Sequence, residues 1–110
     1  MNRLIQQIQT TYEKGEKYFE KQNYNKAIEY FRKKISPQNK HNHLLYYRII
    51  QSYLSLNKLQ DACQIYKEFA ESCSFDHYTQ TYFEIIKFFI HKNYIPTALN
   101  IINLFQTTLP

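Results

Sequence analysis

The histidines and cysteines are the side chains of this chain best suited to metal binding or nucleophilic catalysis. His41 and His43 lie two positions apart in a predicted loop, whereas zinc ligands on a helix are typically spaced i, i+4 and are joined by further ligands. Cys63 and Cys73 form no CxxC pair, which predicts free, partly buried thiols in a reducing compartment. Neither pattern indicates a metal, a cofactor or a catalytic residue.

Glycine is the next residue type that limits the possible chemistry, because the 110 residues include only one, Gly15. Phosphate-binding loops need several glycines for a sharp turn and a close backbone approach to the phosphates. The GxSxG turn of serine hydrolases needs two glycines as well. Nucleotide-binding proteins with such loops and serine hydrolases with this turn are therefore excluded. We predict that the protein is not an enzyme and has no small-molecule substrate. The same scarcity weighs against β-hairpins and favours helices.

The net charge of +5 is concentrated at the start of the chain. Residues 1–42 hold nine basic and four acidic residues, whereas residues 43–110 hold five of each. A polyanion or an acidic partner could contact the densest basic residues, which are Arg32, Lys33, Lys34 and Lys40. The alternative is that these cations only complement the dipole of a helix C-terminus.

An internal repeat organises the rest of the sequence. An alanine followed four residues later by a larger apolar residue recurs at Ala27, Ala62 and Ala98, which are 35 and 36 residues apart. Sixteen residues before each alanine begins an i, i+3, i+4, i+7 stripe, typical of one helix face. Each unit is therefore predicted to contain a leading helix with the stripe and a trailing helix with the alanine. Asn57 and Asn93 are predicted to end leading helices in left-handed geometry, and Asn42 and Asp76 to cap the next ones.

This arrangement resembles the tetratricopeptide repeat family. The matching residues are Gly15, Tyr18, Ala27 and Phe31 in the first unit, Tyr46, Tyr53, Ala62 and Tyr66 in the second, and Tyr82, Phe89, Ala98 and Pro110 in the third. The resemblance implies an all-α fold in which three tandem helix–turn–helix hairpins form a short right-handed α-solenoid. We expect one domain over residues 1–110, with repeats over approximately 8–42, 43–78 and 79–110.

In this family the leading helices line a concave face that commonly binds a peptide or helix of a partner. The positions expected to form such a groove are Tyr12, Glu16, Phe19, Tyr47, Gln51, Leu54, Phe83, Lys87 and Ile90. Most are apolar or aromatic, which suits an amphipathic or extended apolar segment; the alternative is that they only pack on one another. Some family members bind a chaperone carboxylate on this face, but Glu16 and Glu84 occupy two of the matching positions and disfavour it.

The last predicted helix has no charged residue from Asn93 to Pro110. A terminal repeat normally needs a polar outer face or a capping helix. We therefore expect a second subunit, a second copy or a continuation of the chain to cover it. The predicted interface comprises Ile95, Leu99, Ile101, Leu104, Phe105 and Leu109.

These features predict a cytoplasmic protein–protein interaction module, a scaffold or adaptor subunit of a complex or a homo-oligomer. A peptide-sensing regulator with the same repeats is the alternative. A pentatricopeptide-like RNA-binding protein is less favoured, because Tyr47 and Phe83 occupy positions where that family carries small polar base-reading residues. No stretch of about 18 apolar residues predicts a membrane span, and the polar N-terminus predicts no signal peptide.

Overall fold

The computed structural model describes the backbone of residues 3–108 and the side chains of residues 3–104. This range is all-α, as predicted, and contains no strand. Of the predicted interface residues, Leu109 and the side chain of Phe105 lie outside the described residues. The helices are α1 (Arg3–Thr11), α2 (Glu13–Glu20), α3 (Tyr24–Lys34), α4 (Asn42–Ser55), α5 (Leu59–Ser72), α6 (Thr79–His91) and α7 (Ile95–Thr108). No helix in this range is long and apolar enough to cross a bilayer.

Three turns of the same geometry join α2 to α3, α4 to α5 and α6 to α7. Each contains one residue with positive φ, namely Gln22 (62°), Asn57 (59°) or Asn93 (70°). The N–H of the following residue bonds to the carbonyl five residues earlier, at 2.9 Å, 2.9 Å and 2.8 Å in the three turns, which is the long hydrogen bond of a Schellman motif. The predicted left-handed helix ends at Asn57 and Asn93 are confirmed.

The repeated alanines mark the start of each trailing helix. Ala27, Ala62 and Ala98 are buried, and each donates its N–H to the carbonyl four residues earlier at 3.0 to 3.1 Å. The predicted N-caps are wrong. Asn42 is the first residue of α4 and its side chain bonds to the backbone of Ser36, whereas α6 begins three residues after Asp76.

Helix α4 is the centre of the packing. Ten of its fourteen residues are buried, and it contacts α1, α3, α5 and α6. Of the four residues predicted for its core stripe, Tyr46, Ile49 and Ile50 are buried, whereas Tyr53 is half-buried. The equivalent stripe of α6, from Tyr82 to Phe89, is buried as well.

The first leading helix is bent, unlike the two that follow it. Tyr12 separates α1 from α2 with φ −127° and ψ 51°, and its hydroxyl accepts a hydrogen bond from the Asn39 amide at 3.0 Å. Leu4 and Ile8 of α1 are buried, and α1 contacts α4. Helix α1 therefore packs on the core as the N-terminal part of this bent leading helix.

Gly15 allows α2 and α3 to approach closely. A Cβ atom at this position would lie 2.6 Å from ring carbons of both Tyr30 and Phe31, closer than carbon atoms pack. The lone glycine of the chain is therefore required by helix packing rather than by a turn.

Candidate partner-binding surfaces

A buried ion pair occupies the middle of the predicted concave groove. Arg48 donates to both carboxylate oxygens of Glu16, at 2.7 Å and 2.8 Å, and to the Gln51 side-chain oxygen at 2.6 Å. The guanidinium carbon of Arg48 also lies 4.0 Å from the centroid of the Phe19 ring. This bidentate geometry compensates for removing both charges from water. Its role is to join α2 to α4.

The groove prediction needs correction at five of its nine residues. Tyr12, Glu16, Tyr47, Gln51 and Leu54 are all buried. The last three belong to α4, which contacts α1, α3, α5 and α6. A partner could therefore make direct contact mainly with the remaining four positions. Phe19 is half-buried, whereas Phe83, Lys87 and Ile90 of α6 are exposed.

A smaller groove remains between α4 and α6. It has a volume of about 470 Å³, and its lining consists of Tyr47, Glu84, Lys87, Phe88, Ile90 and His91. Three of these, Tyr47, Lys87 and Ile90, belong to the predicted groove. Burial, followed by the nearby Glu84 carboxylate, raises the pKa of Tyr47 to about 12. The phenol at the base of this groove is therefore protonated at neutral pH.

Large apolar side chains are exposed on α6, where Ile90 also lines this groove, and on α7. Phe83 and Ile90 are 50% and 45% exposed, and Ile95 and Leu99 are 39% and 54% exposed. We call these four residues the end face. Leu104 is 59% exposed, but it lies about 140° around α7 from Leu99. Ile101, predicted to belong to the same interface, is buried and is a core residue instead.

The 36-residue repeat shows what is unusual about the end face. Phe83 and Ile90 occupy the positions that Tyr47 and Leu54 hold in α4. The residues of α4 are only 3% and 0% exposed, and α6 packs against α4. Among residues 3–108, no later helix packs against α6 in the same way, since only α7 follows it. The third hairpin thus exposes the surface that, in the second hairpin, is covered by α6.

The residues predicted to contact a polyanion are only partly brought together. Arg32 pairs with Glu68 at 3.4 Å, Lys33 pairs with Glu29 at 3.1 Å, and Lys40 lines a separate cleft in the loop before α4.

Lys33 instead lines a cleft of about 260 Å³ between α2 and α3, which we call the lysine cleft. Its lining consists of Lys14, Tyr18, Lys26, Glu29, Tyr30 and Lys33. Sequence reasoning missed Lys14 and Lys26 because they belong to different helices. Their spacing to Tyr18 and Tyr30, i, i+4 in each helix, was the available signal.

His43 and the two cysteines are held in their neutral forms by burial. His43 hydrogen-bonds to Thr81 at 2.8 Å and packs on the Tyr78 ring, and burial lowers its pKa to about 4. Burial raises the pKa of the Cys73 thiol to about 11 and also raises that of Cys63, so both thiols are protonated at neutral pH. Among the described residues, no three His, Cys, Asp or Glu side chains are grouped to hold a metal ion.

No protein-family model matches this chain, and no curated protein or solved structure matches it either. Its all-helical fold combines a buried ion pair, an apolar end face and a lysine cleft.

Proposed function

We propose that this protein is a non-enzymatic protein–protein interaction module, a scaffold or adaptor subunit, that binds a helix of a partner protein on its end face. Its three hairpins would stack as a short right-handed α-solenoid of the tetratricopeptide type. The observation that carries the proposal is the contrast between buried Tyr47 and Leu54 and exposed Phe83 and Ile90 at equivalent positions. Free thiols at Cys63 and Cys73 fit the reducing, cytoplasmic setting that is part of this proposal.

A helix is the favoured occupant because a helix covers the same positions in the preceding hairpin. Helix α6 packs on α4, and the repeat gives α6 and α7 a similar backbone geometry to α4 and α5. An amphipathic helix could place its apolar side chains against Phe83 and Leu99. A neighbouring side chain could enter the 470 Å³ groove beside Lys87 and Ile90.

The apolar area supports such an interaction energetically. Complete burial of a large apolar side chain contributes about 1.5–3 kcal/mol, and the four end-face residues are each roughly half exposed. Covering all four would contribute on the order of 3–6 kcal/mol. Association itself costs several kcal/mol, so contacts in the adjoining groove are also needed for a stable complex.

Site-specific photo-cross-linking of the full chain in its own cells tests this function. Benzoylphenylalanine at position 83 should cross-link one discrete partner, and Ile90→Asp should abolish that product. The control probe is placed at Gln64, an exposed residue of α5, and Gln64→Asp is the matched control variant. Equal cross-linking from both positions, or a product that persists in Ile90→Asp, would contradict the proposed function.

A further inference from the structure

We propose that the lysine cleft binds an acidic peptide segment, at a second interaction site separate from the end face. The cleft lies between α2 and α3 and is lined by Lys14, Lys26 and Lys33. Lys33 holds the carboxylate of Glu29 at 3.1 Å. Among the described residues, neither Lys14 nor Lys26 forms an ion pair, which leaves both ammonium groups available to partner carboxylates.

The surface around this cleft is more cationic than the sequence indicates. Residues 3–42 carry nine basic side chains, all exposed, but only three exposed acidic ones, because Glu16 is withdrawn into its pair with Arg48. Among residues 43–104, four basic and five acidic side chains lie outside the core. The first hairpin is therefore the positive end of the molecule, and it would attract an acidic segment from solution.

Close packing of α2 on α3 brings the cations of the two helices into one cleft. Tyr30 lies against Gly15, where no side chain keeps the helices apart. This contact brings Lys14 and Tyr18 of α2 to the same cleft as Lys26 and Lys33 of α3. The lysines thus line a concave site between two packed helices and are not scattered along one exposed face.

The aromatic rings favour a peptide over a nucleic acid. The Tyr18 and Tyr30 rings meet edge to face, with centroids 6.5 Å apart. Lys26 lies over the Tyr18 ring at 5.9 Å and Lys34 over the Tyr30 ring at 5.1 Å. Base stacking would have to displace these ammonium groups. The cleft lining also includes no arginine, the residue that best matches phosphate geometry.

The test is a binding measurement on the full chain with two fluorescent probes, a deca-glutamate peptide and a ten-nucleotide oligo(U) RNA. Lys14→Gln, Lys26→Gln and Lys33→Gln are combined in one variant. The matched control combines Lys58→Gln, Lys67→Gln and Lys92→Gln, three exposed lysines elsewhere, so that both variants lose the same charge. Circular dichroism checks that both are folded.

We expect the cleft variant to bind deca-glutamate at least about tenfold more weakly than the unmodified protein, and the control to differ by less than about twofold. Binding should also weaken as salt increases, because the contacts are ionic. Three results would overturn the proposal: no binding of the peptide, an equal loss in the control variant, or tighter binding of the RNA than of the peptide. None of them bears on the end face, which is tested separately by the cross-linking at position 83.

Discussion

Replacing Arg48 with methionine tests whether the buried ion pair holds the first hairpin to α4. The Arg48 and Glu16 side chains are 5% and 3% exposed. Arg48→Met would leave the Glu16 carboxylate in the core without its two donors, and would remove the donor to Gln51. Removing one partner of a buried pair costs about 3–5 kcal/mol. This is a large part of the roughly 5–15 kcal/mol that stabilises a domain.

Two further variants separate the cost of an unpaired charge from the loss of packing. Glu16→Gln keeps one oxygen as an acceptor for Arg48, but it leaves the buried guanidinium charge unpaired and places an amide N–H opposite its second donor. We therefore expect a loss of about 3–5 kcal/mol here as well. Combining Glu16→Leu with Arg48→Met replaces both charges with apolar groups of similar size. Such replacements are often neutral or stabilising, so the double variant should recover most of the stability that Arg48→Met loses.

Urea denaturation followed by circular dichroism measures these differences. With a slope of about 2 kcal/mol per molar urea for a domain of this size, Arg48→Met should lower the unfolding midpoint by about 2 M. The double variant should unfold near the midpoint of the unmodified protein. If instead the double variant is as unstable as Arg48→Met, or loses as much stability as Arg48→Met and a Glu16→Leu single variant together, the two side chains are not coupled as a buried ion pair.

Two other changes test the packing and the pH response. Gly15→Ala should destabilise the protein by about 1–3 kcal/mol, because the new methyl group overlaps Tyr30 and Phe31; a raised melting temperature, as alanine gives in an exposed helix, would contradict the close approach. His43 is held neutral with a pKa of about 4, while the unfolded chain binds a proton near pH 6.5. For the full shift, stability would fall by about 2.6 kcal/mol as the pH drops from 6.5 to 4. Because His43 is only half-buried and water screens part of this effect, we expect a fall of about 1–2 kcal/mol. His43→Gln should remove that slope in melting temperature, and a slope unchanged by the substitution would refute the assignment.

Local chemistry explains which parts of the fold could be predicted from sequence. Asparagine tolerates positive φ, so Asn57 and Asn93 marked two of the helix ends. Gln22 adopts the same geometry, but glutamine carries no comparable preference. The all-helical fold followed from the repeat, and the close packing at Gly15 followed from the absence of a side chain at a predicted core position.

Tertiary packing explains most of what the sequence did not reveal about the sites. Glu16 and Arg48 are 32 residues apart, and no pattern within one helix indicates that they pair. Tyr47 and Phe83 occupy equivalent positions in the repeat, yet one is buried and the other is exposed. That difference depends on α6 packing over α4, which is a property of helix order rather than of either residue.

Cross-linking from position 83 asks directly whether the end face binds a partner. We expect one discrete partner protein, with the cross-linked peptide mapping to a helix of that partner. We also expect that Ile90→Asp removes this product, while Gln64→Asp leaves it in place. A product unaffected by Ile90→Asp, or cross-linking no stronger than from the control position on α5, would contradict the end face as a partner-binding surface.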